Sequence, residues 1–185
     1  MFGSIMIALL AIAMFFIIWS ISAYNKLVRL DALSVEGWSG TDVQLKRRYD
    51  LIPNLVATVK GYSIHEKETL ENVTKFRNMA MEAEGIDQKA KAEAGLTQAL
   101  KKLFAVAENY PNLKANENFL SLQKDLGEIE RDLQLARRYY NGATRNYNIA
   151  VNSFPSNMVA RLTGFEKKPY FEITPEEREA PKVEF

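Results

Sequence analysis

The chain has 185 residues, a formal net charge of +1 and no cysteine, with 47% hydrophobic and 25% charged residues. The near balance of charge argues against a general nucleic-acid-binding protein, because that class carries a strong basic excess. The lack of cysteine excludes disulfides, thiolate zinc sites and a cysteine nucleophile, without identifying the redox compartment.

The first predicted element is a membrane-spanning helix over residues 5–21, IMIALLAIAMFFIIWSI. Residues 1–25 carry no charged side chain, and such a run matches the roughly 20 residues that one helix needs to cross a bilayer. Trp19 and Tyr24 lie at its far end, where amphipathic rings prefer the headgroup layer. We expect a single-pass protein of the cell membrane, anchored by residues 1–25 and contacting the lipid bilayer through residues 5–24.

A cleaved signal peptide is the alternative interpretation of this run. It requires a basic n-region and a shorter apolar core, whereas the first four residues, MFGS, contain neither Lys nor Arg. Lys26 and Arg29 follow the span and no cation precedes it. The positive-inside rule therefore favours an N-terminus outside the cell and a cytoplasmic bundle.

The next element is a helix that reaches to about Gly61, with apolar residues on one face. Leu27 and Leu30 would allow it to continue from the membrane span without a break, whereas Pro53 predicts a kink or break. The apolar residues that repeat every seven positions are Trp38, Leu45, Ile52 and Val59.

Two further helices are predicted between residues 63 and 110. Residues 63–66 read S-x-x-E, a capping box that would start the second helix, and Asp87 would cap the third, which Pro111 would stop. The expected inward residues of the second are Leu70, Val73, Phe76 (or Arg77) and Ala80. Those of the third are Leu96, Leu100, Leu103, Val106 and Ala107.

The fourth predicted helix has a heptad seam about 36 residues long, capped by Asn116 or Asn118 and ended by Pro155. Its first row is Phe119, Leu126, Leu133, Tyr140, Tyr147 and Phe154. Its second row is Leu122, Ile129, Ala136, Ala143 and Ala150. A short helix over residues 157–162, closed by Gly164, would follow.

These patterns predict an all-α fold in which an N-terminal transmembrane helix leads into an elongated antiparallel helical bundle of about four helices. The expected divisions are the anchor (residues 1–25), the bundle (26–164) and an extended C-terminal tail (165–185), which is rich in proline and charge.

No catalytic, cofactor-binding or metal-binding residue is predicted. His65 is the only histidine, so a di-iron Glu-x-x-His pair, an H-E-x-x-H motif and a His-based triad are all excluded. We interpret His65 as a polar residue in the first turn of a helix. Glu128, Glu130 and Asp132 could hold a cation only if the fold gathered other ligands beside them.

Lys46, Arg47 and Arg48 form a candidate interaction surface for an acidic partner or lipid headgroups. Because the three cations span almost a full helical turn, we expect Arg48 to point near the apolar seam. The alternative is a solvated face with an Asp42–Lys46 ion pair.

A second candidate is a polar cluster on the heptad seam, formed by Tyr139, Tyr140, Asn141, Tyr147 and Asn148. Such residues usually satisfy one another or the backbone of a loop when buried. A ligand pocket is the alternative.

Four long segments, residues 42–73, 103–123, 139–148 and 153–165, and the short motif at 169–172 resemble the LemA family. The resemblance covers nearly the whole chain. It implies a bacterial membrane-anchored protein with a long antiparallel helical bundle, and it implies no established enzymatic activity and no catalytic residues.

The function expected is a non-catalytic scaffold or adaptor for other membrane or envelope proteins, with the protein partner unknown. One alternative is a self-associating, membrane-organising protein, because Ala8, Ala11 and Ala13 offer small residues for close helix packing within a homo-oligomer. The least favoured alternative is an enzyme that uses carboxylates and tyrosine.

Overall fold

The structure, a computed structural model, describes residues 2–62 and 66–172. Within these ranges it consists of helices and loops, without a strand, which confirms the all-α prediction. The helices are α1 (Phe2–Lys60), α2 (Lys67–Glu82), α3 (Ile86–Ala107), α4 (Pro111–Lys114), α5 (Glu117–Asn152) and α6 (Ser156–Thr163).

Helix α1 is the axis of the molecule, with 59 residues and a length of roughly 90 Å at ~1.5 Å per residue. Among the described residues it is the one helix long and apolar enough to span a membrane. The side chains of residues 2–18 are exposed, whereas Leu27, Leu45, Ile52 and Val59 lie in the core. One helix therefore supplies both the candidate membrane span and the centre of the bundle.

The predicted break at Pro53 is wrong, because α1 continues through this residue to Lys60. Proline has no backbone N–H, so the carbonyl of Tyr49, four residues earlier, loses its usual helical donor. Arg77 of α2 replaces that donor: its Nε lies 2.8 Å from the Tyr49 carbonyl oxygen. A side chain from the neighbouring helix thus satisfies the carbonyl that Pro53 leaves unpaired.

Helix α5 packs antiparallel along α1. The Ser34 and Thr144 hydroxyl oxygens lie 2.9 Å apart in the buried interface. Gly37 permits the close approach of the two helices, since a Cβ there would lie 3.0 Å from the Tyr140 Cα. The α2–α3 hairpin covers the half of α1 that is far from the span, and its inward residues include Val73, Ala80, Leu96 and Leu103.

Helix α5 has the predicted length of 36 residues, and the Asn116 side chain caps it by accepting from the Phe119 N–H at 3.0 Å. The first heptad row is buried from Phe119 to Tyr147. Phe154 was wrongly included: α5 ends at Asn152, so Phe154 lies in the following turn and is 80% exposed.

Several predicted helix ends differ from those observed. The predicted capping box includes Ser63, which together with His65 lies outside the described residues, and α2 begins at Lys67 without a side-chain cap. Asp87 lies in the first turn of α3 because Gly85 takes the N-cap position. Pro111 does not end α3 but begins the short α4, where its missing N–H is not needed.

Helix α6 ends, as predicted, at Gly164, which adopts a left-handed conformation with φ of 78°. The following residues 165–172 have no regular secondary structure and run back along α5. We call residues 165–172 the tail strap.

Candidate functional site

The polar cluster on α5 holds the tail strap. The Asn141 amide donates from Nδ2 to the Phe171 carbonyl (3.0 Å) and accepts from the Phe171 N–H at Oδ1 (2.9 Å). Asn148 makes the same pair of hydrogen bonds with Lys168, both at 2.9 Å. Each asparagine side chain therefore bonds both the backbone N–H and the C=O of one strap residue, as a neighbouring β-strand would.

The spacing of the two asparagines matches the spacing of the strap. Seven residues of helix separate Asn141 from Asn148, which is roughly 10.5 Å along the axis. Three residues of extended chain, from Lys168 to Phe171, cover roughly 10 Å. An extended peptide can therefore meet both amides at once, and this register follows from the heptad repeat.

Aromatic packing completes the attachment of the strap. Phe171 is 1% exposed, and its ring lies edge-on to Trp38 with centroids 5.5 Å apart. The Arg137 guanidinium lies 4.8 Å from the centre of the same ring. Tyr140 donates its hydroxyl hydrogen to the Pro169 carbonyl at 2.6 Å, so its polar end is satisfied inside the core.

The structure brings together four of the five residues of the predicted cluster. Tyr147 is 2% exposed and packs edge-on against Phe165 of the strap. Burial raises the pKa of both Tyr140 and Tyr147, which keeps them neutral. Tyr139 is the exception: it points away, is half exposed, and borders a shallow groove beside Gly40 and Leu135.

The three cations of the predicted interaction surface do not share one environment: two are exposed and one is buried. Lys46 is exposed and pairs with Asp50 at 2.9 Å. The predicted Asp42–Lys46 pair is wrong, because Asp42 instead pairs with Lys89 of α3 at 2.7 Å. Arg47 is exposed and lies beside Gln44 (3.0 Å) and Asp132 (3.6 Å).

Arg48 faces the interior and forms a polar network with the buried Glu93 and the half-buried Thr97 of α3. Its Nη1 lies 2.6 Å from Glu93 Oε2, and its Nη2 donates to Thr97 Oγ1 at 2.9 Å. Tyr49 donates its hydroxyl hydrogen to the other carboxylate oxygen, at 2.6 Å. Glu130 Oε2 lies 3.5 Å from Arg48 Nε, which has no hydrogen bond.

The electrostatics of the network favour a structural role for Tyr49. Burial, followed by the Glu93 carboxylate, raises the pKa of Tyr49 well above its ordinary value. Its hydroxyl therefore stays protonated and acts as a donor. Beside the network lies a cavity of about 10 Å³, bordered by Arg137 and by Phe171 of the strap. This volume is too small for a substrate.

Glu93 and Thr97 were not among the predicted site residues. The signal that could have found Glu93 is its position, three residues before Leu96 on the inward face of α3. Arg48 was expected near the apolar seam of α1, and a buried cation needs an acidic partner. Glu93 is an acidic residue on the face of α3 that packs against this seam.

The three acidic residues considered as cation ligands lie beside basic side chains, with Glu128 Oε1 3.9 Å from Lys124 Nζ. Glu130 lies beside Arg48 and Asp132 beside Arg47. Within residues 2–62 and 66–172, no group of three or more histidines and carboxylates is arranged to hold a metal ion.

Comparison with known proteins places the chain in a family. A model of the LemA family matches residues 37–185. The chain belongs to the LemA family. Protein LemA of Metamycoplasma hominis is 25% identical, over 96% of this chain and 81% of its own length. Magnetosome protein MamQ 2 of Paramagnetospirillum magneticum is 26% identical, and magnetosome protein MamQ of Magnetospirillum gryphiswaldense is 24% identical. Each of these two alignments includes 86% of this chain and 68% of the relative.

The LemA region contains the whole of the site. Arg48, Glu93, the two asparagines of α5 and Phe171 all lie within residues 37–185, whereas the apolar part of α1 precedes them. None of the three relatives has an enzyme name. Together with the apolar part of α1, family membership supports a LemA-type, membrane-associated protein.

Proposed function

We propose that this LemA-family chain is a non-catalytic scaffold that holds a rigid helical bundle upright on a membrane and presents its sides to other membrane or envelope proteins. The observation that carries the proposal is the continuity of α1. No linker separates the span from the core, so the bundle has a fixed position relative to the anchor. The part of α1 beyond residue 21 extends roughly 60 Å.

The orientation proposed is an outside N-terminus and a cytoplasmic bundle. Lys26 and Arg29 follow the apolar run, and both side chains are exposed at the membrane end of the bundle. Cations close to a span favour the cytoplasmic side. Partners of the bundle would then be cytoplasmic proteins or the cytoplasmic parts of membrane proteins.

Two of the open surfaces in the described part of the chain suit a partner other than a second copy of this chain. The first is the exposed cationic pair Lys46 and Arg47, on the same face of α1 as Val43, which is 54% exposed. The second is an open groove of about 790 Å³ at the end of the bundle far from the span. It has apolar walls that include Val56 and Met79.

The test is photocrosslinking from intact membranes, with a photoreactive amino acid placed at Val43 or, separately, at Met79. A scaffold predicts adducts with other proteins from at least one position. Replacing Lys46 and Arg47 by Glu should abolish adducts from Val43, because attraction to an acidic partner becomes repulsion. The matched control replaces Lys101 and Lys102, both exposed on α3, by Glu and should preserve them.

The outcomes separate the candidate functions. Absence of heterologous adducts at both positions would contradict the scaffold proposal. Adducts formed only between copies of this chain would favour self-association, the second candidate. The shallow groove bordered by Gly40, Leu135 and Tyr139 supports that candidate, since Leu135 and Tyr139 are at least half exposed there.

A further inference from the structure

Helix α6 closes the end of the bundle nearest the membrane span and has two different faces. Val159 and Ala160 are buried against Ala23 and Leu27 of α1. The other face is apolar but uncovered, and it comprises two residues four apart on one side of the helix and a phenylalanine in the turn just before it. They are Phe154 (80% exposed), Met158 (56%) and Leu162 (86%).

This uncovered face lies at the height where the span ends. Trp19, Ala23 and Lys26 of α1 border the same groove as Phe154 and Ser156. Tyr24 lies beside Phe165, which follows α6, with ring centroids 5.8 Å apart. Because Trp19 and Tyr24 mark the headgroup layer in the sequence, α6 is at or next to that layer.

Most of the charges around α6 are positive, although Glu166 follows the helix and Asp31 of α1 pairs with Lys168 of the strap at 2.7 Å. Between Asp132 and Glu166 the chain contains no acidic residue. The cations in that interval include Arg145 and Arg161, which are exposed, as are Lys26 and Arg29 on α1. Farther from the span the charges are mixed, as the pairs described for α1 and α3 show.

We propose that the uncovered face of α6 is a second membrane contact. Phe154, Met158 and Leu162 lie at the boundary between headgroups and acyl chains of the bilayer that α1 crosses. Lys26, Arg145 and Arg161 contact its anionic headgroups. Apolar side chains flanked by cations are the composition of helices that lie in the membrane interface. Continuity with the membrane-spanning helix selects the lipid surface as the occupant of this face.

The proposal rests on the membrane anchor but not on the scaffold role. It can be tested with the full-length chain in vesicles of phosphatidylethanolamine and phosphatidylglycerol. Because the chain has no cysteine, single substitutions Met158→Cys and Leu162→Cys allow one nitroxide spin label each. Both positions are exposed, so the labels need not disturb the core. Ile12→Cys in the span and Met79→Cys in the distal groove are the references.

The measured quantity is the accessibility of each label to oxygen, which concentrates in lipid, relative to a water-soluble nickel chelate. We expect this ratio at residues 158 and 162 to be several-fold above that at residue 79 and below that at residue 12. Ratios equal to that at residue 79 would overturn the proposal. A lipid-buried label at residue 12 in the same preparation would show that the anchor itself is intact.

Two further outcomes address other occupants and the charges. Spin–spin broadening at residues 158 and 162, without lipid accessibility, would indicate a second copy and overturn the proposal. In vesicles of neutral phosphatidylcholine we expect the labels at residues 158 and 162 to lie less deep in the bilayer. Unchanged depth there would overturn the role given to Lys26, Arg145 and Arg161.

Discussion

The Arg48 guanidinium and the Glu93 carboxylate lie 2.6 Å apart, with 3% and 7% of their side chains exposed. They join α1 to α3 inside the bundle, 45 residues apart in the chain. Thr97 and Tyr49 supply the remaining hydrogen bonds to this pair. Each charge is tolerated in the core because the other charge and these two hydroxyls replace most of its lost hydration, while Arg48 Nε has no hydrogen bond and lies 3.5 Å from Glu130 Oε2.

Arg48→Met should destabilise the bundle by about 3–5 kcal/mol, because it leaves the Glu93 carboxylate buried without its cation. The double variant Arg48→Met with Glu93→Leu should recover most of that loss, since a well-packed apolar pair can replace a buried ion pair. Urea unfolding followed by circular dichroism measures the difference. Lys46→Met, a change of the exposed neighbour, should cost under about 1 kcal/mol. Equal costs at residues 46 and 48 would contradict this account.

The contribution of Arg77 to the free energy of unfolding should depend on the presence of Pro53. Arg77→Ala should cost about 1–3 kcal/mol, since it leaves the Tyr49 carbonyl without a donor. In a Pro53→Ala background the backbone N–H of residue 53 can serve that carbonyl, and the same Arg77→Ala change should cost less. A double-mutant cycle measures the coupling free energy. A coupling near zero would show that Arg77 does not compensate for Pro53.

The asparagines of α5 should control release of the tail strap. Asn148→Leu removes both hydrogen bonds to Lys168, and we expect trypsin to cleave after Lys167 several-fold faster in this variant. Asn146→Leu, a change of the exposed asparagine two residues earlier, is the matched control and should leave the cleavage rate unchanged. Similar rates for the two variants would mean that the paired hydrogen bonds do not hold the strap.

Tyr49 should resist ionisation at alkaline pH. Its pKa is raised in the folded chain, first by burial and then by Glu93, whereas the unfolded chain releases the proton near the ordinary value of about 10. The folded state therefore holds a proton that the unfolded state has lost, so stability should fall as pH rises above about 10. Unfolding free energies measured across this range should fall less steeply for Tyr49→Phe than for the wild type. Identical slopes would contradict the assignment.

The orientation can be tested by fusion to the C-terminus. With the bundle in the cytoplasm, a fluorescent-protein fusion should be fluorescent and an alkaline phosphatase fusion inactive. The reverse pattern would place the bundle outside. Replacing Lys26 and Arg29 by Glu removes the flanking cations on which the orientation depends, and should lower the fraction of chains with a cytoplasmic bundle.

The parts of the fold that could be predicted depend on local periodicity. The membrane span, the α5 seam and the Gly164 end of α6 each follow from residues close together in sequence. The passage of α1 through Pro53 could not be predicted, because the donor to the Tyr49 carbonyl is Arg77, which lies 28 residues after Tyr49. It belongs to a helix whose rotation the sequence alone does not determine.

The candidate site also has a part that could be predicted and a part that could not. The heptad position of Asn141 and Asn148 indicated a buried polar role, but the identity of the bound segment depends on the turn at Phe154 and on α6, which send the chain back along α5. The periodicity also placed Phe154 in the core, because a seven-residue count cannot show that the helix has already ended at Asn152.

The continuity of α1 has a consequence for biosynthesis. Ser34 meets Thr144 across 110 residues, so the apolar face of α1 leaves the ribosome long before α5 exists to cover it. At the usual rates of about 5–20 residues per second, that interval is roughly 5–20 s. During that interval the first helix already holds the chain at the membrane. The uncovered apolar face of α1 therefore stays beside the bilayer instead of diffusing among other unfinished chains.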